Sequence, residues 1–138
     1  PHVVRKIQGE PIDTMFTRRH YTRAQRRAYD YIVAGMRSSA MGGTCRMLGS
    51  LPFAACGKTG TAQNRGHDHS VFMGFAPMDK PKIAIAVYVE NGGWGADYGV
   101  PMGKVLMEQY IMGKLSPSGE RLAEEMQNRR ISYGNSER

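Results

Sequence analysis

Ala54-Ala55-Cys56-Gly57-Lys58-Thr59-Gly60-Thr61-Ala62 is the stretch that decides the fold, and Lys58 is the one long side chain in it. As a β-strand this stretch is weak by propensity, because glycine costs backbone entropy and offers no side chain to pack. Glycines are expected in a strand where another backbone must approach closely. The stretch therefore predicts a strand that lies against a second backbone.

Two more strands are predicted downstream, at residues 70–76 and 82–90, with a proline-bounded turn at residues 77–81 between them. Because that turn is short, the two strands should form an antiparallel hairpin. Large and small side chains alternate along the second strand, so we expect helices to cover both of its faces. The large face consists of Ile83, Ile85, Val87 and Val89, and the small face consists of Ala84, Ala86 and Tyr88.

Helices flank the predicted strands. Apolar residues recur at three- and four-residue spacing from about residue 22 to 38, which indicates an amphipathic helix. A second helix is predicted from about residue 98 to 113, and a short polar helix at 120–130. Residues 43–54 are predicted to form a loop, and residues 2–7 a short strand. The expected buried faces are Ala24, Ala28, Tyr29, Ile32, Val33 and Met36 in the first helix, and Val105, Leu106, Gln109 and Tyr110 in the second. The order of helix, three antiparallel strands and helix predicts an α+β fold.

The composition favours one globular domain. The chain has 138 residues, of which 41% are hydrophobic and 22% are charged, and a disordered chain would be less apolar. The formal net charge is +7, which is typical either of a basic soluble surface or of a site for an anionic polymer. We favour the first interpretation and expect no nucleic-acid partner, because the positive charges are dispersed and no nucleic-acid-binding motif is found. No apolar run is long enough to span a bilayer.

The potential metal ligands do not form a recognisable site. Cys45 and Cys56 match no metal-ligand spacing, and they are predicted either to form a disulfide or, as we favour, to remain free and partly buried. The run His67-Asp68-His69 suggests a metal, but no third ligand is evident. We therefore expect no metal and no cofactor.

The run Lys58-Thr59-Gly60 resembles the third sequence box of the serine acyltransferases, which include penicillin-binding proteins and class A β-lactamases. Its surroundings strengthen the resemblance, since the box follows a helix and precedes a hairpin and a further helix. Over residues 1 to about 115, the chain resembles the C-terminal part of the transpeptidase domain of class B penicillin-binding proteins, most of all the penicillin-binding protein 2 group. Residues 116–138 are predicted to be a polar tail with a short helix.

The resemblance implies a role for each residue of the box and its flank. Lys58 and Thr61 are the expected catalytic residues: the lysine assists proton transfer, and the backbone N–H of Thr61 forms half of an oxyanion hole. Thr59, Gly60, Thr61 and Gln63 are expected to bind the substrate. The threonine hydroxyls would hold a terminal carboxylate, and Gly60 would let the backbone of an extended peptide come close.

The other two boxes of such enzymes are missing from the sequence. No serine has a lysine three residues on, so the Ser-x-x-Lys nucleophile box is absent, and Ser-x-Asn is absent as well. Both boxes are expected upstream of the chain. The resemblance thus implies a fragment of a peptidoglycan D,D-transpeptidase whose partners are the D-Ala-D-Ala stem peptide, β-lactam antibiotics and the rest of its own domain. The parent would be anchored on the periplasmic side of the bacterial inner membrane.

Several alternatives stay open at this point. The same box occurs in β-lactamases and β-lactam sensors, and a carboxypeptidase differs from a transpeptidase only in using water as the acceptor. A non-catalytic basic module that binds an anionic polymer is a further hypothesis. Trp94, the only tryptophan, is either a contact at the rim of the site or, as we favour, a plug over the end of the sheet.

Overall fold

A computed structural model of the chain describes residues 8–10, 13, 15, 18, 19, 21 and 23–131. The strand predicted at residues 2–7 lies outside this part. In chain order, the elements are helix α1 (Arg26–Gly42), a short 3-10 helix (Arg46–Ser50), strands β1 (Cys56–Ala62), β2 (His69–Ala76) and β3 (Ile83–Val89), and helices α2 (Gly99–Met112) and α3 (Pro117–Asn128).

The three strands form one antiparallel sheet with the order β1-β2-β3, so the α+β prediction is confirmed. Phe72 at the centre of β2 pairs with Thr59 of β1 and Val87 of β3. Because directly paired residues share a face, these three side chains point to the same side of the sheet. In the described part of the chain, β1 is an edge strand whose outer side has no partner strand.

The core lies between that face of the sheet and helix α2, and its centre is the fully buried ring of Phe72. Glycines surround the ring. A methyl group at Gly57 would lie 2.7 Å from Phe72 Cε2, and one at Gly103 of α2 would overlap the ring edge at Cε1. These glycines let strand and helix pack directly onto the aromatic ring, which accounts for the weak strand propensity around Gly57.

Helix α1 is shifted from the predicted span by four residues at both ends. Its N-cap is Gln25, which makes no side-chain capping bond, and it ends where Gly43 donates its N–H to the carbonyl of Ser39. Of the predicted apolar face, Ile32 remains 59% exposed, and Ala40 is the buried residue of the helix. Only the C-terminal half of α1 therefore packs on the sheet.

Residues 43–54, predicted to be a loop, contain a short helix and contribute side chains to the core. Leu48 in the 3-10 helix is fully buried in the core, as are Cys45 and Ala55 nearby. Leu48 Cδ1 would lie 2.9 Å from a methyl group at Gly57, so this segment fills the space beside β1.

The predicted inner face of α2 is also wrong, because Leu106 and Tyr110 are 50% and 63% exposed. The face that packs on the sheet instead carries Val100, Gly103 and Met107. Glycine contributes little to an apolar pattern, but only glycine allows this helix to approach Phe72 so closely.

The small face of β3, formed by Ala84, Ala86 and Tyr88, is exposed and not covered by a helix as expected. Tyr88 has 57% of its surface accessible. Helix α1 packs chiefly on β1 and does not extend over β3, which is why this surface stays open. None of the helices in the described residues is long and apolar enough to cross a membrane.

Candidate active site

The central feature of the candidate site is a cleft of about 710 Å³ between the C-terminal half of α1 and the strand β1. Lys58 lies in its lining, on the opposite face of the sheet from Phe72, and its side chain is exposed. Lys58 Nζ donates to the carbonyl of Thr59 at 2.8 Å. The ammonium group is therefore held at the strand with most of its surroundings open to solvent. The complete lining is Ile32, Gly35, Met36, Ser38, Ser39, Gly43, Thr44, Lys58 and Met73.

Thr59 contacts the segment that follows α1. Its Oγ1 lies 2.7 Å from Oγ1 of Thr44, and Thr44 lines the cleft. Each hydroxyl has one proton, so one of the two donates to the other and the second proton remains free for a ligand. The sequence pointed to Thr59 but missed Thr44, because the two threonines are 15 residues apart and nothing local marks Thr44.

Ser39 is a second residue of the cleft that the sequence did not single out. Its Oγ is buried, and among the residues that the structure describes it has no hydrogen-bond partner. A buried hydroxyl without a partner is unfavourable by about 1–3 kcal/mol unless a ligand or water bonds to it. Ser39 therefore adds polar capacity to a cleft whose lining is otherwise largely apolar.

Gly60 leaves open space at β1. A methyl group there would approach only the Val71 side chain, at 3.4 and 3.7 Å, which is close to ordinary van der Waals contact. Gly60 also has no left-handed backbone conformation. Neither packing nor backbone geometry demands glycine here, in contrast to Gly57 three residues earlier. The space beside Gly60 is thus available to a group outside the described chain.

Thr61 and Gln63 lie at the far end of the strand. Thr61 is exposed and pairs with Ser70 of β2, and Gln63 is exposed just beyond the last residue of β1. By alternation Thr61 shares a face with Thr59, whereas Lys58 lies on the other face. The structure thus places Lys58 and Thr44 in the lining of the cleft and joins Thr59 to Thr44 by a hydrogen bond. Thr61 and Gln63 are an exposed continuation of the same strand.

The loop between β3 and α2 approaches the site from the core face of the sheet. At Gly95, an added methyl group would lie 2.8 Å from the carbonyl oxygen of Gly60 and 2.9 Å from Thr59 Cβ. The preceding residue, Trp94, is 74% exposed, so it is not a plug over the sheet. A large aromatic side chain consequently stands in solvent next to the strand that carries the Lys58 box.

Cys56 begins β1 and lies under α1. Its Sγ is 3.9 Å from the carbonyl oxygen of Val33, and Arg37 donates to the carbonyl of neighbouring Ala55 at 3.0 Å. Burial raises the pKa of the Cys56 thiol, and the charge of Arg37 lowers it by a smaller amount. Cys45 and Cys56 are both free and buried. These contacts hold α1 against the start of the strand.

Within the run His67-Asp68-His69, His69 has a structural role. His69 Nδ1 accepts a hydrogen bond from the backbone N–H of Asn91 at 3.0 Å, and the ring contacts Tyr88 with centroids 5.2 Å apart. Within the described ranges, no group of three or more histidine, cysteine or acidic side chains is placed to hold a metal ion.

Comparison with known proteins identifies related domains. The family described as "Penicillin binding protein transpeptidase domain" matches residues 1–108. The chain is 27% identical over 137 residues to the peptidoglycan D,D-transpeptidase MrdA of Haemophilus influenzae, a match that covers 83% of this chain and 21% of that protein. It is 31% identical over 129 residues to the peptidoglycan D,D-transpeptidase PbpA of Mycobacterium tuberculosis, with 83% and 26% covered.

The fold of the chain also resembles that of a solved structure. The crystal structure of PBP2 from Pseudomonas aeruginosa in complex with WCK 5153 matches with a TM-score of 0.57 and 40% sequence identity, covering 65% of this chain and 21% of that one. The chain thus spans between 21% and 26% of the length of the two curated relatives.

Proposed function

Because the chain belongs to the penicillin-binding protein transpeptidase domain family, we propose that it forms one side of the active site of a peptidoglycan D,D-transpeptidase. The resemblance carried by Lys58-Thr59-Gly60 is confirmed for the family. The observation that carries the proposal is the cleft lined by Lys58 and Thr44, whose hydroxyl contacts that of Thr59 on β1, an edge strand among the described residues.

The substrate is an extended peptide that lies along the edge of β1. An edge strand offers backbone N–H and C=O groups to a second strand, which gives affinity without demanding particular side chains. The open space beside Gly60 supports this proposal, since a close backbone approach is what glycine permits there. The peptide is a stem peptide ending in D-Ala-D-Ala.

The terminal carboxylate of that peptide is bound by hydroxyl groups near Lys58. Hydroxyl donors and an ammonium group both stabilise a carboxylate, and hydrogen bonds to a charged group are stronger than neutral ones. Thr59 and Thr44 supply the hydroxyls, and Thr61 adds a third at the exposed end of the strand. Gln63, just beyond the end of β1, contacts a part of the peptide farther from Lys58.

The reaction is an acyl transfer through a serine outside this chain. The serine Oγ forms an ester bond with the carbonyl carbon of the penultimate D-Ala, and the bond to the terminal D-Ala breaks. The serine proton leaves through basic groups and reaches the amine of the departing D-Ala. An amine of a neighbouring stem peptide then attacks the ester, forms the cross-link and restores the serine hydroxyl.

Two groups of this chain act on the reacting atoms. The backbone N–H of Thr61 is half of the oxyanion hole, which stabilises the negative charge on the attacked carbonyl oxygen. Lys58 assists proton transfer, because its positive charge stabilises the groups that have given up a proton while that proton passes to the leaving amine. β-Lactam antibiotics bind to the same groups, because a β-lactam also has a reactive carbonyl and a carboxylate.

The exposed face of the sheet is where the rest of the domain packs. Met73, Ala86 and Tyr88 lie side by side on the face that carries Lys58, and Met73 and Tyr88 are 56% and 57% exposed. A contiguous apolar surface of this kind marks an interface. The partner is the part of the same domain that carries the nucleophile serine. The parent protein is anchored at the periplasmic side of the inner membrane, where peptidoglycan is built.

Intact-mass spectrometry after incubation with penicillin tests the proposal. The 138-residue chain alone should show no penicilloyl adduct. The longer protein that contains it should gain one adduct, on a serine outside the 138 residues. An adduct on the isolated chain, or none on the longer protein, would contradict the proposed division of the site.

A further inference from the structure

Helix α3 lies beyond the matched family segment, which ends at residue 108, yet Arg129 directly after its last residue contacts the loop beside the candidate site. This loop comprises residues 91–98 and is called the β3–α2 loop below. Its Gly95 lies against Gly60 and Thr59 of β1, as described above. Any displacement of the loop would therefore change the surroundings of the Lys58 box on the core face.

On the sheet side, the β3–α2 loop is held by strand β2. Ser70 Oγ donates to the carbonyl of Trp94 at 2.9 Å and accepts from the N–H of Gly99 at 3.1 Å. The N–H of Gly93 donates to the carbonyl of Asp68 at 2.8 Å. Ser70 is fully buried, so its two hydrogen bonds are sheltered from solvent.

On the outer side, the loop is held by Arg129 at the C-terminal end of α3. The guanidinium donates a short hydrogen bond to the carbonyl of Asp97 and lies 5.2 Å from the ring centroid of Tyr98. Its other terminal nitrogen is 2.6 Å from Glu125 Oε1, which fixes the direction of the guanidinium. The planar donor fork of arginine is well suited to several simultaneous contacts of this kind.

The N-terminal end of α3 is held by α2, which fixes the position of the helix that precedes Arg129. Glu108 is 5% exposed, and its Oε1 accepts from the backbone N–H of Ser116 at 3.2 Å. Ser116 caps α3 by accepting from the N–H of Gly119 at 3.1 Å. Helices α2 and α3 are joined by a short connection and pack together, so the end of α3 returns to the start of α2, where the loop lies.

We infer that Arg129 is a positioning residue that holds the β3–α2 loop, and with it Trp94, against the strand that carries Lys58-Thr59-Gly60. The significance of the loop for substrate rests on the proposed function. The mechanical relationship does not, because it depends only on contacts between α3, the loop and β1.

Hydrogen exchange on the 138-residue chain tests this inference without any substrate. The amides of Asp97 and Val100, which bond within the loop, report its opening, and amides of the β2–β3 ladder serve as an internal reference. In Arg129→Gln, exchange at the loop amides should rise on the order of tenfold while the reference amides stay within about twofold. Arg129→Lys retains a cation with one donor nitrogen in place of the guanidinium fork and should give an intermediate rise.

The matched control is Arg130→Gln, which removes the same charge from the adjacent exposed residue. It should leave the loop amides unchanged. Fluorescence anisotropy of Trp94, the only tryptophan in the chain, should fall in Arg129→Gln and not in Arg130→Gln. Unchanged loop exchange in Arg129→Gln, an equal rise in Arg130→Gln, or an equal rise at the reference amides would overturn the inference. A failure of penicillin labelling in the longer protein would bear on the proposed function alone.

Discussion

The hydroxyl of Thr44 lies 2.7 Å from the hydroxyl of Thr59, although the two residues are 15 positions apart in the sequence. Thr44 follows helix α1 and lines the cleft that contains Lys58, whereas Thr59 belongs to the edge strand β1. The contact therefore joins the two elements that form the cleft. In the proposed function, Thr44 therefore joins the hydroxyls of the sequence box in binding the substrate carboxylate.

Removal of the Thr44 hydroxyl should weaken the site without unfolding the chain. Thr44 is exposed, so Thr44→Val should change the free energy of unfolding by only about 0.5 kcal/mol. A lost hydrogen bond to a carboxylate is worth about 1.5–3 kcal/mol, so penicillin acylation of the longer protein should slow by roughly tenfold to hundredfold. Ser50→Ala, which removes an exposed hydroxyl outside the cleft, is the control. Equal acylation rates for both variants would exclude Thr44 from the site.

Two glycines of the same strand should respond in opposite ways to alanine. Gly60→Ala meets only Val71 at 3.4 Å, so stability should stay within about 1 kcal/mol, while acylation falls because the methyl group occupies the substrate's space. Gly57→Ala places a methyl group 2.7 Å from the buried Phe72 ring and should destabilise the chain by about 1–3 kcal/mol.

Urea unfolding of the chain and penicillin acylation of the longer protein measure the two effects for both variants. If Gly60→Ala acylates at the unsubstituted rate, the strand edge beside Gly60 is not the substrate path. If it unfolds as readily as Gly57→Ala, the space seen beside Gly60 is not present in solution.

The buried Cys56 thiol should make the folded chain less stable at alkaline pH. Its pKa is raised in the folded chain, chiefly by burial, so the unfolded chain releases this proton at a lower pH than the folded one. The folded state thus binds more protons, and the free energy of unfolding falls as the pH rises above the ordinary thiol pKa of about 8.5. Below that pH the group has no effect on stability.

Urea unfolding of the wild-type chain and of Cys56→Ala between neutral and alkaline pH checks this. The wild-type chain should lose more stability across that interval than the variant, which has no thiol at this position. Parallel pH profiles for the two proteins would show that Cys56 does not titrate as its burial requires.

Sequence patterns identified the elements better than the contacts between them. The strands were predictable, because the alternation from Ile83 to Val89 is strong and the linker before it is short. The inner face of α2 was not, because its key contact is Gly103, which has no side chain to reveal it. The core position of Leu48 was hidden by the glycine-rich segment around it.

The candidate site was predictable only where residues are adjacent in sequence. Lys58 and Thr59 follow one another and carry the family resemblance. Thr44 reaches Thr59, and Arg129 reaches the β3–α2 loop, only through the fold. No local pattern distinguishes such residues from ordinary surface side chains. The exposure of Trp94 is not predictable from the sequence for a related reason, since it depends on how Gly95 packs the loop against β1.

The most direct test of the central claim is the penicillin acylation rate of the longer protein with Lys58→Ala, compared with Lys80→Ala. Lys80 is an exposed lysine in the turn between β2 and β3, outside the cleft, so it controls for the loss of one positive charge. Lys58→Ala should slow acylation by at least roughly a hundredfold, as expected for a group that assists proton transfer, while Lys80→Ala should acylate at the unsubstituted rate. Equal rates for Lys58→Ala and Lys80→Ala would contradict the assignment of β1 to the active site.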